Sequence, residues 1–171
     1  PLKKQIWKNI TIQKIRMQAA ALKAYGENDV RLEMLTREVK SGDITNIEAQ
    51  AARHYWPKLM GSNFRRDRSL GGANAMLNYG YTILRAAVAR SVIATGLHPS
   101  IGIHHKNRTN SFSLVDDLME PFRPLVDYTV RILLDRKILE VDPDSKRVLA
   151  AILDFDLNMN DNRSPVTTAI Q

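Results

Sequence analysis

The feature of this sequence that most constrains its fold is the spacing of its apolar residues, which recur at steps of three and four along most of the chain. In the first segment Ile6, Ile10, Lys14 and Met17 follow this spacing, so one basic residue interrupts an otherwise apolar stripe. Such spacing aligns side chains on one face of an α-helix. The sequence therefore predicts an amphipathic helix that begins just after Pro1, in a chain whose pattern is mostly helical.

Breaks in the pattern divide the rest of the chain into further helices and two long loops. The spacing predicts helices at 30–39, from 48 to about 56, at 73–95, and from 114 to about 134. Residues 45–48 have the form of a capping box at the start of the third helix, and Pro57 is expected to end it. The prolines at 121 and 124 are expected to interrupt the last helix, and 61–72 and 97–113 are predicted loops.

The carboxyl-terminal part of the sequence leaves alternatives open. Residues 138–150, which contain Asp142 and Pro143, fit either a β-hairpin or a break between helices. Residues 164–171 have the pattern of the start of another helix. Because the chain also begins almost directly on a helix, we interpret residues 1–171 as a single helical domain of a larger protein, truncated at both ends.

Several classes of protein are excluded by what the 171 residues lack. There is no cysteine, which excludes a disulfide scaffold, a thiol nucleophile and a cysteine-ligated metal centre. No apolar run reaches about 18 residues, the length that predicts a transmembrane helix. Residues 1–7 lack the apolar segment of a signal peptide. We therefore expect a cytoplasmic protein with no membrane partner.

The positive charge of the chain is unevenly distributed. There are 25 Lys and Arg residues against 18 Asp and Glu residues, which gives a formal net charge of +7. Residues 1–26 contain six basic residues and no acidic one, and residues 53–90 contain seven basic residues against Asp67 alone. Two such blocks on one compact domain favour a surface that binds the phosphates of nucleic acid. A solvated face with no polyanion partner is the alternative.

Three places in the sequence carry side chains suited to metal chemistry. Glu48 opens the third helix, His104 and His105 lie in the loop before the proline-interrupted helix, and Asp117 and Glu120 share a face of that helix. Glu120 has apolar neighbours on both sides, and its carboxylate needs a partner because burial of an unpaired charge is costly. Carboxylates together with one imidazole suit Mn²⁺ or Mg²⁺.

Each of these residues also has a purely structural interpretation. Glu48 fits the third helical position of a capping box, and either loop histidine fits a ring that is hydrogen-bonded to the backbone. Glu120 could pair with Arg123 three residues later, and Asp116 could cap the helix or remain solvated. The long spacings between the three places match no compact metal-ligand motif, so local pattern leaves these alternatives open.

Four blocks of sequence, taken in order, carry a resemblance to a known family. They are residues 46–56 with 61–64, residues 77–86, residues 96–107 and residues 113–124, and the last block, SLVDDLMEPFRP, is the most specific. With these blocks the chain resembles the catalytic domain of the CRISPR adaptation integrase, the CRISPR-associated endonuclease that inserts spacers. The blocks are most similar to the branch found beside type II CRISPR systems.

The resemblance implies an all-α catalytic domain, without the smaller β-rich amino-terminal domain that the family normally carries and that helps to form its homodimer. It also implies a metal triad for Mg²⁺ or Mn²⁺, made of a Glu on an early helix, a His in the loop and an acidic residue on the later helix. Matched by motif, these catalytic ligands are Glu48, His105 and Glu120. His104 is then a variable neighbour, and Asp117 either supports the ligands or serves as an alternate one.

The activity implied by the resemblance is transesterification of double-stranded DNA, in which a protospacer 3′-hydroxyl attacks a phosphodiester at the edge of a CRISPR repeat. The implied protein partner is the small companion adaptation protein, which bridges two integrase dimers. We predict a phosphate clamp of basic residues in and near the Arg-rich loop, namely Arg53, Arg65, Arg66, Arg68 and Lys106. The competing hypothesis is a basic helical domain that binds DNA or acts as a scaffold without catalysis.

Overall fold

A computed structural model describes residues 2–105, 107, 109–159 and 162–169, and Lys106 of the predicted clamp lies outside them. The elements are α1 (Leu2–Ala24), α2 (Val30–Glu38), α3 (Ile47–Met60), α4 (Ala73–Ala94), α5 (Ser113–Leu118), a 3₁₀ helix (Glu120–Phe122), α6 (Arg123–Asp135), α7 (Pro143–Ala150), a second 3₁₀ helix (Ala151–Asp154), β1 (Asp156–Met159), β2 (Asn162–Pro165) and α8 (Val166–Ala169). The predicted all-α class is confirmed, with the short antiparallel β1–β2 ribbon as an addition. None of the helices in this part of the chain combines the length and the apolar character that a membrane span requires.

α1 lies at the centre of the hydrophobic core. Its apolar face buries Trp7, Ile15 and Leu22. The helix packs against α2, α3, α6 and the first 3₁₀ helix. α1 therefore contacts both segments that carry the predicted acidic ligands.

α4 forms the second long element of the core and packs against α5, α6 and α7. Its buried face includes Met76, Leu77 and Leu84. Gly80 allows α6 to approach closely, because a Cβ at that position would lie 2.5 Å from Cγ1 of Val126. This close contact brings a polar face of α4 beside the start of α6.

The prediction that α3 ends at Pro57 is wrong, because the helix continues to Met60. Leu59 and Met60 are buried in the core, at 1% and 9% exposure. The free energy gained by burying these two side chains offsets the loss of the one backbone hydrogen bond that a proline removes from a helix. The helix ends instead at Gly61, which has a φ of 95° and donates its N–H to the Pro57 carbonyl at 3.0 Å.

Residues 138–150 contain a break between helices, so the hairpin alternative is wrong for this stretch. α7 begins with a capping box in which Asp142 accepts from the Ser145 N–H at 2.7 Å and donates its own N–H to the Ser145 hydroxyl at 2.8 Å. Pro143 occupies the first turn of α7, where its missing N–H costs nothing. The ribbon lies later in the chain, and α8 begins within the stretch where a further helix was predicted.

Candidate active site

Glu48 lies in the first turn of α3, but other residues cap that helix. The Asn46 side chain accepts one backbone N–H of the first turn at 3.4 Å, and the Asp43 carboxylate accepts two more at 2.8 and 3.0 Å. The capping-box interpretation of Glu48 is therefore wrong. Its carboxylate instead accepts a hydrogen bond from Nζ of Lys14, on α1, at 2.5 Å.

Glu120 begins the first 3₁₀ helix and is only 7% exposed. Its Oε2 accepts from Nζ of Lys14 at 2.6 Å, and its Oε1 accepts from Nε of Arg123 at 2.8 Å. The pairing with Arg123, one of the alternatives predicted from the sequence, is confirmed. Because the same Lys14 ammonium also bonds to Glu48, carboxylates from two distant segments meet at one point.

The contacts in this cluster shift the pKa values of its members in opposite directions. Burial alone would raise the pKa of Glu120, but the charges of Lys14 and Arg123 outweigh it and lower that pKa below its ordinary value. Burial alone would lower the pKa of Lys14, but the charges of Glu120 and Glu48 outweigh it and raise that pKa. At neutral pH the cluster therefore holds the Lys14 ammonium beside the ionised carboxylate of Glu120.

His105 is oriented by Asp117, a fully buried residue of α5. The Asp117 carboxylate lies 2.5 Å from Nδ1 of His105 and accepts the backbone N–H groups of Ile103 at 2.6 Å and His104 at 2.9 Å. In a neutral ring whose Nδ1–H donates to this carboxylate, the lone pair lies on Nε2. Metal-ligating histidines are commonly held in this way. These contacts favour a supporting role for Asp117 over that of an alternate ligand.

The loop that carries the two histidines is also held by α1. The Trp7 ring stacks on the His104 ring at a centroid distance of 4.2 Å and meets the His105 ring edge-on at 6.0 Å. Nζ of Lys3 donates to the Gly102 carbonyl at 2.9 Å. The loop therefore lies between two supports, α1 on one side and Asp117 on the other.

Gly102 is required where this loop turns over α5. A Cβ at that position would collide with the His105 carbonyl and would lie 2.9 Å from Cβ of Ser113 and 3.2 Å from the Asp117 carboxylate. Only a residue without a side chain lets the backbone approach so closely. The approach in turn allows the loop N–H groups to reach Asp117.

A groove of about 500 Å³ runs beside Glu120 and His105. Its cationic lining residues are Arg66, Arg68, Arg85 and Arg123. Guanidinium groups are suited to phosphate because they present several N–H donors in a fixed plane. The groove therefore offers a surface for a phosphodiester backbone next to the acidic cluster.

The groove arginines are fixed by polar neighbours. Arg85 bonds to both carboxylate oxygens of Asp116, at 2.6 and 2.9 Å, and Arg66 donates to Asn74 at 2.9 Å and Asn78 at 2.6 Å. Burial alone would raise the pKa of Asp116, but its hydrogen bonds, chiefly to Arg85, lower it. Asp116 is thus an ion-pair partner, where the sequence had suggested a cap or a solvated side chain.

The predicted phosphate clamp is only partly assembled at this groove. Arg66 and Arg68 line it, whereas Arg53 and Arg65 are exposed and lie outside its lining. The fifth member, Lys106, is not among the residues that the structure describes.

Sequence reasoning missed the roles of Lys14 and Arg85, although both have a signal in the pattern. Lys14 interrupts an apolar helical stripe between Ile10 and Met17, and a basic residue in such a stripe predicts a buried partner of opposite charge. Arg85 lies seven residues after Asn78, which is two helical turns, so the two share a polar face of α4. Both residues bond to side chains that are distant in sequence.

A second buried carboxyl group lies behind the groove, in α6. Asp127 accepts hydrogen bonds from the hydroxyl groups of Tyr55, at 3.1 Å, and Tyr81. Burial raises the pKa of Asp127 to about 7, although the tyrosine hydrogen bonds act to lower it. The Arg123 guanidinium lies over the Tyr81 ring, 4.7 Å from its centroid. The network therefore supports the side chain that pairs with Glu120.

The donor atoms of the three predicted ligands fit a divalent cation in their chemistry. The carboxylates of Glu48 and Glu120 both contact one positive charge, and Nε2 of His105 is the ring nitrogen that does not contact Asp117. Such oxygen and nitrogen donors suit Mg²⁺ or Mn²⁺. Within the described residues, however, no group of three His, Asp or Glu side chains is close enough to hold a metal ion. The structure thus brings two predicted ligands together at Lys14 and places the third on the groove that Glu120 also lines.

Comparison with protein families identifies the chain. The family model described as CRISPR associated protein Cas1 matches residues 3–154. This chain belongs to the Cas1 family. The match includes all three predicted ligands of the Cas1 chain and confirms the resemblance at the level of the family, whereas assignment to the type II branch stays a prediction.

A curated relative supports this assignment, and two solved structures share the fold of the chain. The chain is 42% identical over 175 residues to the CRISPR-associated endonuclease Cas1 of Neisseria meningitidis serogroup C (strain 8013), covering 99% of this chain and 57% of that protein. Two solved structures share its fold at 22% identity: a casposase bound to integration product, with a TM-score of 0.80, and a Cas1 protein from Thermotoga maritima, with a TM-score of 0.78. Each covers 98% of this chain, which spans 60% and 62% of theirs. This Cas1 chain therefore spans less than two thirds of each of these relatives.

Proposed function

We propose that this Cas1 chain is the catalytic part of a DNA integrase that joins protospacer 3′-hydroxyl ends to a CRISPR repeat, with Mg²⁺ or Mn²⁺ held by Glu48, His105 and Glu120. The observation that carries the proposal is the convergence of Glu48 and Glu120 on one cationic point, at 2.5 and 2.6 Å, beside a groove lined with arginines. The Neisseria relative is named an endonuclease, and the casposase structure is described as bound to an integration product. Both names support chemistry on DNA strands.

The proposed reaction is a balanced exchange of phosphodiester bonds. The attacking 3′-oxygen forms a bond to phosphorus while the bond from phosphorus to the leaving oxygen breaks. The proton lost by the attacking hydroxyl is balanced by the one that the leaving oxygen takes up. When bound, the divalent cation would polarise the phosphoryl oxygen and stabilise negative charge on the attacking or leaving oxygen.

The residues of the chain would position the reacting strands. Arg66, Arg68, Arg85 and Arg123 would contact phosphate oxygens along the groove, and these contacts would be largely independent of sequence and sensitive to salt. Asp117 would keep the proton of His105 on Nδ1, which leaves Nε2 available as a ligand. Holding both DNA ends in line for attack supplies a large part of the rate enhancement in reactions of this kind.

The proposed partners follow from the same family resemblance. Double-stranded DNA is the substrate, both as protospacer and as CRISPR repeat. We propose that the intact protein forms a homodimer and binds the small companion adaptation protein, in the cytoplasm.

A non-catalytic DNA-binding or scaffolding role is the second candidate, and one specific observation favours it. Lys14 pairs with both Glu48 and Glu120, and Arg123 pairs with Glu120, so both carboxylates have cationic partners within the chain itself. In that case the acidic pair is a structural ion-pair cluster next to a basic groove. DNA binding would then be salt-dependent and indifferent to a chelator.

The two functions are distinguished by a DNA nicking and joining assay with Mn²⁺ or Mg²⁺. The assay is run on this chain and on a chain extended to the length of its relatives, with and without EDTA. We expect Glu48→Gln, Glu120→Gln and His105→Ala to abolish strand joining in the active form. Glu38→Gln is the matched control, because Glu38 is an exposed carboxylate that pairs with Arg31 at 3.4 Å on α2.

The variants must keep the circular dichroism spectrum of the unmodified protein for the comparison to hold. Full activity in all three site variants would refute the assignment of the ligands. Activity that persists in EDTA would refute the dependence on a divalent cation, and DNA binding without any strand cleavage in either chain would establish the second candidate.

A further inference from the structure

Lys14 is the residue that joins the two acidic side chains of the candidate site. Its ammonium lies 2.5 Å from Oε1 of Glu48 and 2.6 Å from Oε2 of Glu120. The Lys14 side chain is 15% exposed, and those of Glu48 and Glu120 are 27% and 9% exposed. This is a sheltered cluster, where charge interactions are stronger than at a solvated surface.

The other cation of the cluster does not duplicate this role. Arg123 bonds to Oε1 of Glu120, which is the oxygen that Lys14 leaves free, and its partner is Glu120 alone among the carboxylates of the described ion pairs. On α1, the buried residues one turn from Lys14 on the same face are Ile10, Thr11 and Gln18, and all three are uncharged. Among the ion pairs of the described residues, Lys14 alone therefore connects α3 to the first 3₁₀ helix.

A divalent cation and the Lys14 ammonium would compete for the same position. Both carboxylate oxygens point at Nζ, so an ion that used these oxygens would lie within a few ångströms of it. Two positive groups so close repel each other strongly in a sheltered site. The four-carbon stem of a lysine is flexible, so its ammonium can turn away without movement of the helix.

We infer that Lys14 is a resident counter-cation, which holds Glu48 and Glu120 together in the metal-free protein and which a divalent metal ion displaces when it binds. The inference rests on the proposed function, because it takes Glu48 and Glu120 as ligands of that ion. It adds that metal binding is an exchange of one cation for another. Lys14 is accordingly a positioning residue that weakens metal binding while it keeps the site assembled.

The first test compares this chain with its Lys14→Met variant, which keeps most of the side-chain stem but has no charge. Without metal, the variant leaves two carboxylates facing each other, and we expect its Tm to fall by roughly 5–15 °C. Saturating Mn²⁺ should restore most of this loss. The variant should also bind Mn²⁺ about tenfold more tightly or better, as measured by calorimetry or by the EPR signal of free Mn²⁺.

Lys23→Met is the matched control for the loss of a lysine from α1. Lys23 is exposed in the last turn of that helix, and the ion pairs found among the described residues do not include it. We expect its Tm and Mn²⁺ affinity to equal those of the unmodified chain. A double variant, Lys14→Met with Glu48→Gln, should lose the gain in Mn²⁺ affinity.

The outcomes separate this inference from the proposed function. If the unmodified chain binds Mn²⁺ and Lys14→Met binds it no more tightly, the inference is overturned, while the proposed metal site stands. No Mn²⁺ binding in either protein overturns both.

A second measurement needs no variant and decides the matter if Lys14→Met does not fold. In the unmodified chain, the side-chain NMR signal of Lys14 should move when Mg²⁺ is added to saturation, while that of Lys23 should not. A Lys14 signal that stays in place at saturating Mg²⁺ overturns the exchange.

Discussion

The buried carboxyl group of Asp127 makes the stability of this protein depend on pH in a way that a single substitution tests. Asp127 is 2% exposed and bonds to the hydroxyl groups of Tyr55 and Tyr81. Asp127→Asn keeps the shape of the side chain and an oxygen that accepts a hydrogen bond, but it removes the titration. A comparison of the two proteins across pH therefore isolates the contribution of this carboxyl group.

The size of the effect follows from the shift in pKa. Burial raises the pKa of Asp127 from 3.8 to about 7 in the folded protein. Between these values the folded state holds a proton that the unfolded chain has released, so the free energy of unfolding falls as the pH rises. At about 1.4 kcal/mol per pKa unit, the loss between pH 5 and pH 8 amounts to about 2–3 kcal/mol.

The assay is urea unfolding of both proteins at pH 5, 6, 7 and 8. The other titratable groups of the chain are present in both proteins, so their contributions cancel in the difference. We expect the stability of the unmodified protein relative to Asp127→Asn to fall by that amount from pH 5 to pH 8, which is roughly 1 M or more in urea midpoint. A difference that does not change with pH would refute the raised pKa.

Three further predictions concern the loop and the groove. Gly102→Ala should cost about 1–3 kcal/mol in urea unfolding, because the added Cβ collides with the loop that carries the histidines; Gly71→Ala, where the Cβ meets nothing within 4 Å, should cost less than about 0.5 kcal/mol. Trp7→Ala should cost about 3–5 kcal/mol in the same measurement, because it empties a buried site and removes the stacking against the loop. Arg85→Ala should weaken DNA binding and reduce the slope of log affinity against log salt by about one in fluorescence anisotropy, whereas Arg90→Ala, exposed on the same helix and outside the groove lining, should leave both unchanged.

The sequence predicted helices well where local pattern and burial agree. The helix predicted at 73–95 agrees with α4, which spans Ala73–Ala94. The apolar residues of this stretch favour a buried helix, and Gly96 favours an end close to the observed one. The prediction failed at Pro57, where burial of Leu59 in the core extends α3 beyond a residue that disfavours helix. No element was predicted for residues 151–163, which contain β1 and the start of β2, because strands of four residues give only a weak alternating pattern. The interpretation of residues 1–171 as one domain truncated at both ends stays a prediction.

The local sequence pattern predicts the candidate site less well than it predicts the helices. The three predicted ligands are separated by long stretches of sequence, so their relative positions depend on tertiary packing, and only the family resemblance selected them. Lys14 has the same spacing as the apolar residues of the first helix, so the spacing alone does not distinguish it from them. Its charge does, because a lysine is unexpected in an apolar stripe. Arg85 was overlooked because a basic block does not show which of its members face a groove.

α1 explains how side chains so distant in sequence come together, although it contributes none of the predicted ligands. Lys3 and Trp7 contact the loop before α5, and Lys14 contacts both acidic residues. Trp7 and Lys14 are seven residues apart, which is two helical turns, so they lie on the same face of α1. An acidic residue beside Lys14 on this face would add a third negative charge next to two carboxylates, and residues 1–26 contain no acidic residue. Part of the positive charge in residues 1–26 therefore balances the carboxylates of the candidate site. The net charge of this segment is for that reason larger than the positive charge that it offers to DNA.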